Sequence, residues 1–174
     1  HIALGEGLKK LLLYNTRMNG MAIRNILNEK EELLYKVSRP VTEFNERLWQ
    51  LLDDMGDTLH EADGVGLAAP QVGVLRRIFV MDMGDGIVEV INPVYVEKKG
   101  KQEDVEGCLS CPGEYGITRR PAYVKIKAQD RYGKEFFLDG EALKARCICH
   151  ESDHLDGIIF KKHVIRMLDR DELN

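Results

Sequence analysis

Two histidines four residues apart, His150 and His154, with a glutamate directly after the first, sit in the stretch CHESDHLDG from Cys149 to Gly157. On an α-helix, residues i and i+4 lie about 40° apart around the axis and roughly 6 Å apart along it, so both imidazoles can face one ion. Glu151 points about 100° to one side, within reach of an ion-bound water but not of the ion itself. That is the geometry of metal-assisted hydrolysis. Two histidines leave a tetrahedral ion one protein ligand short of a catalytic set. Downstream, Asp156, His163, Asp169, Asp171 and Glu172 are available. Asp156 is too close on the same helix, and His163 follows a glycine turn and an apolar, strand-like run. Upstream, EGCLSCPG puts Cys108 at a strand end, after Gly107, a residue that permits close backbone approach. A thiolate with two imidazoles makes an open site of the catalytic type. Cys111 is the rival. Cys108 and Cys111 form C-x-x-C, and with both histidines they would close a Cys2His2 structural site. The residues alone leave both arrangements open.

These side chains need elements to hold them. RPVTEFNERLWQLLDDMGDTLHEADG reads as a helix entered at Pro40, capped by Thr42 and ended by Gly64, with Phe44, Leu48, Leu51, Leu52, Met55 and Leu59 at helical spacing. RRIFVMDM reads as a strand. The segment from Gly86 to Ser110 carries two or three short strands, broken at Asn92-Pro93 and at Lys99-Gly100. AYVKIKAQDRYGKEFFLDG alternates and turns at Arg131-Tyr132-Gly133, so it reads as a hairpin. GEALKARCICHESDHLDG is the second helix, stopped by Gly157, and a short helix near Val164–Leu168 closes the chain. The expected fold is α+β, a single domain with mainly antiparallel β-sheets around a central helix that carries H-E-x-x-H.

The 174 residues fit one domain, and 44% hydrophobic with 31% charged residues is an ordinary globular balance. A net charge of −4 argues against general nucleic-acid binding, because no basic excess is available for phosphates. No apolar run approaches the length of a membrane-spanning helix. The four cysteines, Cys108, Cys111, Cys147 and Cys149, lie near histidines, which favours metal or catalytic use over disulfides. Residues 1–20 read as an added expression leader or an alternative upstream start, because Met21 opens a fresh segment; residues 21–174 read as the catalytic domain.

The sequence resembles the peptide deformylases. That family is recognised by three motifs, and GVGLAAPQ (Gly64–Gln71), EGCLS (Glu106–Ser110) and HESDH (His150–His154) match them in order. The resemblance runs from about Met21 to the C-terminus. It implies that the third ligand is Cys108, and that the enzyme removes the formyl group from N-terminal formyl-methionine of nascent polypeptides. It implies one ion per chain, Fe²⁺, with Zn²⁺, Ni²⁺ or Co²⁺ able to substitute, and Glu151 as the proton carrier. It implies that Gln71 and the Leu109 N–H stabilise the oxyanion, and that Val65, Gly66, Gly107, Cys147 and Tyr115 meet the substrate. Glu106 and Arg120 would brace the ligand helix through Asp153. Gly64 and Gly66 would let a peptide lie close to the chain as an added strand. The implied setting is cytoplasmic, with the formylated nascent peptide as partner, a place beside the ribosomal exit tunnel, no membrane and no sequence-specific nucleic acid. Three departures stand out. Cys149 replaces a common glutamine, Tyr115 lies where some members carry a substrate-binding arginine, and the tail after His163 is too short for a long terminal helix. Two other classes compete: a zincin-type metallopeptidase, and a structural zinc protein that would leave Glu151 and GVGLAAPQ unexplained.

Overall fold

The computed structural model describes residues 22–174; the stretch read as a leader, 1–20, lies outside the described residues. Two helices, α1 (Glu46–Glu61) and α2 (Ala142–Leu155), accompany eight strands. The strands are β1 (Gly66–Ala68), β2 (Ile78–Asp82), β3 (Ile87–Lys99), β4 (Gln102–Cys108), β5 (Cys111–Arg120), β6 (Tyr123–Gln129), β7 (Glu135–Glu141) and β8 (Val164–Met167). They form a five-stranded sheet, ordered β1-β2-β3-β6-β7, and a three-stranded sheet, β4-β5-β8. Every ladder in both is antiparallel. The α+β expectation therefore holds.

The core explains the arrangement. Strand β2, IFVMD, is apolar without alternation because both of its faces are covered. Ile78 and Val80 join Leu48, Leu51, Leu52, Met55 and Leu59 of α1, while Phe79 and Met81 join Ala145, Cys147, Ile148 and Leu155 of α2. Each large side chain buried this way stabilises the fold by about 1.5–3 kcal/mol. The sheet is thus clamped between helices, and α2 is the buried one: ten of its residues are shielded from solvent. A third cluster, Leu34, Cys111, Ile159 and Phe160, fastens the small sheet to the chain's early segment.

Several local expectations need correction. Helix α1 starts three residues later than Thr42 implied, because Asn45 is the cap: its side chain accepts the Leu48 N–H at 3.2 Å. Its end is not set by Gly64 alone. Asp63 takes the left-handed conformation (φ 52°), and the Gly64 and Asp63 N–H groups bond back to Leu59 and His60 carbonyls. Asn92-Pro93 does not break β3 but makes a bulge in it, with Asn92 at φ 52°. The Asn92 amide accepts the Val41 N–H and donates to Val41 O, both at 2.8 Å, so the irregular strand is held from outside. Val164–Met167 is a strand, not a helix, since it completes the small sheet against Gly116–Thr118. The breaks at Lys99-Gly100 and at Arg131–Gly133 occur as turns.

Helix α2 ends in a similar hydrogen-bonded turn, with Gly157 at φ 71°. A Cβ there would lie 2.5 Å from the Tyr35 carbonyl oxygen, whereas one on Gly73 (φ 83°) would meet nothing within 4 Å. Gly73→Ala should therefore cost only the left-handed backbone penalty, about 1–2 kcal/mol. Gly157→Ala adds a backbone collision and should cost about 3 kcal/mol or more. Urea unfolding of the two variants checks this; equal midpoints would contradict it.

Candidate active site

A cleft of about 790 Å³ opens between the two sheets, with β1 on one wall, β4 and β5 on the other, and α2 as its floor. Cys108, at the end of β4, and His150 line it. The donor atoms of Cys108, His150 and His154 all lie within 4.8 Å of one another. Cys108 Sγ is 3.4 Å from His154 Nε2. The rival, Cys111, falls into a different group with Glu29 and Glu114, where Lys161 Nζ already bonds both carboxylates at 2.8–2.9 Å. His163 is likewise elsewhere, 3.0 Å from Asp153.

A buried charge network fixes the histidines. His150 Nδ1 lies 2.6 Å from Glu106 Oε1. Arg120 donates to both Glu106 oxygens at 2.6 and 3.1 Å and reaches Asp153 at 2.5 Å, and Thr118 Oγ1 donates to Glu106 as well. The bracing expected of Glu106, Arg120 and Asp153 is present. Burial alone would raise Glu106, but the hydrogen bonds from His150 and Arg120 pull it down to about 2. Glu106 is therefore the acceptor, His150 carries its proton on Nδ1, and Nε2 faces the cleft. Burial opposes charge on His150, yet the Glu106 bond and the Glu151 charge outweigh it and raise its pKa. Burial, then the charge of His150, holds His154 well below the usual imidazole range. Phe160 stacks on His150, with centroids 6.0 Å apart.

The other chemistry-bearing groups converge on the same point. Gln71, 1% exposed, lies in the turn after β1. Its Oε1 accepts the Ala68 N–H at 3.0 Å, which turns Nε2 toward Ser110 Oγ (3.1 Å) and Cys108 Sγ (3.5 Å). Glu151 lines the cleft, and burial pushes its carboxyl up to about 7. Its Oε2 is buried with no hydrogen-bond partner among the described residues, and its Oε1 is 3.8 Å from His150 Nε2. The hydrogen bond with Cys111, then burial, pushes the Cys108 thiol up. A thiolate here needs a cation beside it, and one thiolate with two imidazoles is a donor set suited to Fe²⁺, Zn²⁺, Ni²⁺ or Co²⁺. The residues fit such an ion.

Val65, Gly66, Gly107, Cys147, Tyr115 and Leu109 all line the cleft. The glycines also leave room within the molecule. A Cβ on Gly66 would meet Glu151 Oε1 at 2.7 Å and Cys147 Sγ at 2.9 Å, and one on Gly64 would meet Leu109 at 2.9 Å. The room they leave is filled by the chain's own side chains, which lets β1 press against the floor helix. Gly107 similarly admits the Tyr115 ring, 2.6 Å from its would-be Cβ. Sequence reasoning missed Leu143 and Arg146, which also line the cleft. The signal was present: Leu143, Cys147 and Glu151 recur every four residues, as do Arg146, His150 and His154. The anchoring by residues 27–29 was also missed. Leu27 N–H bonds to Gln71 O at 2.7 Å and Glu29 N–H to Ser110 O at 2.9 Å, so this strap ties the two turns of the site together from behind. Backbone bonds of that kind leave no side-chain pattern to read.

Residues 23–170 match the family model described as polypeptide deformylase. The chain is 53% identical over 153 residues to a peptide deformylase of Caldicellulosiruptor bescii, covering 88% of this chain and 92% of that protein. It is 52% identical over 153 residues to one of Acetivibrio thermocellus, covering 88% and 90%. Among solved structures, it is similar to a peptide deformylase from Legionella pneumophila, with a TM-score of 0.80 and 44% identity, over 82% of this chain and 86% of that one. It is also similar to one from Thermotoga maritima, with a TM-score of 0.80 and 38% identity, over 82% and 98%.

Removing Glu106 tests the network. Glu106→Ala takes the acceptor from His150 and leaves Arg120 buried with only Asp153. Metal affinity should fall about 10–100-fold, and stability should fall by about 3–5 kcal/mol. Metal titration and urea unfolding read the two effects. Unchanged affinity would remove the network from ligand positioning.

Proposed function

The chain belongs to the polypeptide deformylase family, whose members depend on a metal ion and remove the formyl group from the N-terminus of nascent polypeptides, and from that premise we propose the roles of its residues and the identity of its ion. The observation that carries the assignment is the convergence of the Cys108, His150 and His154 donor atoms within 4.8 Å at the wall and floor of an open cleft. These three hold the ion, one per chain. Fe²⁺ is the proposed resident, and Zn²⁺, Ni²⁺ or Co²⁺ satisfies the same donors.

Bound there, the ion would supply an activated water near neutral pH and positive charge to offset the charge that develops on the formyl group. Glu151 accepts the water's proton as its oxygen adds to the formyl carbon. It returns that proton to the amine nitrogen as the C–N bond breaks and formate leaves. A carboxyl whose surroundings push it up to about 7 is matched to both halves of that transfer. The Gln71 amide and the Leu109 N–H donate to the oxygen as it becomes negative. The Ala68 N–H fixes the Gln71 amide in the donating orientation before substrate arrives. Val65, Gly66, Gly107, Cys147 and Tyr115 receive the methionine side chain and the peptide behind it. The partner is the formylated nascent chain. Work beside the ribosomal exit, in the cytoplasm, follows from where such chains emerge. No helix among the described residues is long and apolar enough to cross a membrane.

Formate release from formyl-Met-Ala-Ser, set against casein cleavage, separates this reading from a zincin-type peptidase; casein cleavage without formate release would reject it. Cys108→Ser, His150→Ala and His154→Ala should each lose most bound metal, while Cys111→Ser keeps it. Glu151→Ala should keep the metal and lose activity by several orders of magnitude, and Gln71→Leu should lower kcat by about 10²–10³. Elemental analysis of protein purified without oxygen should find iron in near-stoichiometric amount; zinc in its place would reject iron as the resident ion.

A further inference from the structure

The deformylase reading leaves Cys111 without a task. Beyond a register shift after Gly107, the ladder between β4 and β5 makes Cys108 and Cys111 partners across the two-residue turn Leu109-Ser110. Directly opposed residues in an antiparallel pair point their side chains to the same face, with Cα atoms about 4.5–5.5 Å apart. That separation lies inside the range a disulfide spans. Cys108 also packs against the buried cluster that contains Cys111, and all four cysteines are free. Access is unequal. Cys108 lines the cleft, whereas Cys111 is 1% exposed, packed with Leu34, Ile159 and Phe160. Beneath Cys111, its thiol reaches Glu29 Oε2 at 3.5 Å.

We propose that Cys108 and Cys111 form a reversible disulfide under peroxide when the metal has left, so that Cys111 is the resolving thiol of the ligand cysteine. The inference rests on Cys108 being a ligand only for the link to metal loss. Peroxide enters by the cleft and meets Cys108 first. One peroxide oxygen is transferred to Cys108 sulfur, giving a sulfenic acid and one water. The Cys111 sulfur then attacks that sulfur. The S–S bond forms, the S–O bond breaks, and the hydroxide leaves as water with the proton that Glu29 takes from the Cys111 thiol. Two thiols are oxidised and one peroxide becomes two waters. The disulfide withdraws Cys108 from the ligand set, and it also stops the climb to sulfinic acid, which a thiol cannot reverse. A dithiol restores both sulfurs.

The test treats the full chain with a chelator, then hydrogen peroxide, and reads the tryptic peptide Gln102–Arg119, which contains both cysteines and no other. The peptide should be two hydrogens lighter, dithiothreitol should reverse the change, and stoichiometric zinc uptake should return with it. In Cys111→Ser, and in Cys111→Ala should the serine variant fold poorly, Cys108 should instead gain oxygen and zinc uptake should stay lost. A wild-type peptide that is unmodified or carries only added oxygen overturns the proposal, as does equal recovery of zinc uptake in the Cys111 variants. None of these readouts depends on formate release. A disulfide that forms without affecting zinc uptake would count against Cys108 as a ligand and overturn the regulatory half of the proposal.

Discussion

A carboxylate almost wholly removed from water, Glu106, is the interaction on which the rest depends. An isolated charge at that depth would cost several kcal/mol, and it is tolerated only because Arg120, His150 and Thr118 all donate to it. Those partners come from β5 and α2, while Glu106 itself is on β4, so one ion joins the small sheet to the helix buried against the large one. Arg120 extends the network to Asp153, one turn further along α2. Position and chemistry are fixed together: the same bond that lets the charge be buried selects which nitrogen of His150 is left toward the cleft.

The cleft follows from that junction. The two sheets share no ladder; they meet over α2, and the gap between β1 and β4 is where a peptide can lie. Gly66 brings β1 down onto Glu151, and Gly107 gives the Tyr115 ring its seat. The cleft is therefore shaped by what its glycines admit from within the molecule.

Much of the site was legible in the sequence because its spacing is helical or its segments are contiguous: His150, Glu151 and His154 on one helix, Gln71 at the end of a small-residue run, and Cys108 at a strand end. Choosing Cys108 over Cys111 required either a family pattern or coordinates, since three residues of separation does not say which thiol faces the histidines. The fold class and both helices were legible from periodicity. What was not legible depends on contacts distant in sequence. Asn92-Pro93 signals a break locally, but Val41 and Gln129 hold Asn92 and turn the break into a bulge. Val164–Met167 has no periodicity long enough to separate helix from strand, and only the free edge of β5 decides it. Asn45 outcompetes Thr42 as a cap because the apolar face of α1 begins with Leu48, three residues after it.

The order of the chain has a bearing on its synthesis. The strap at residues 27–29 waits for turns made from Gln71 and Ser110, the cluster of Cys108, His150 and His154 waits for α2, and the small sheet waits for β8. Phe160 seals His150 only after α2 is complete. Early segments are thus completed by late ones, the pattern of non-local contact that makes folding slow. A ribosome translating this message must release the chain through α2 and Phe160 before any hydrolytic centre can exist. Its action on other emerging chains therefore waits on the late segments of its own.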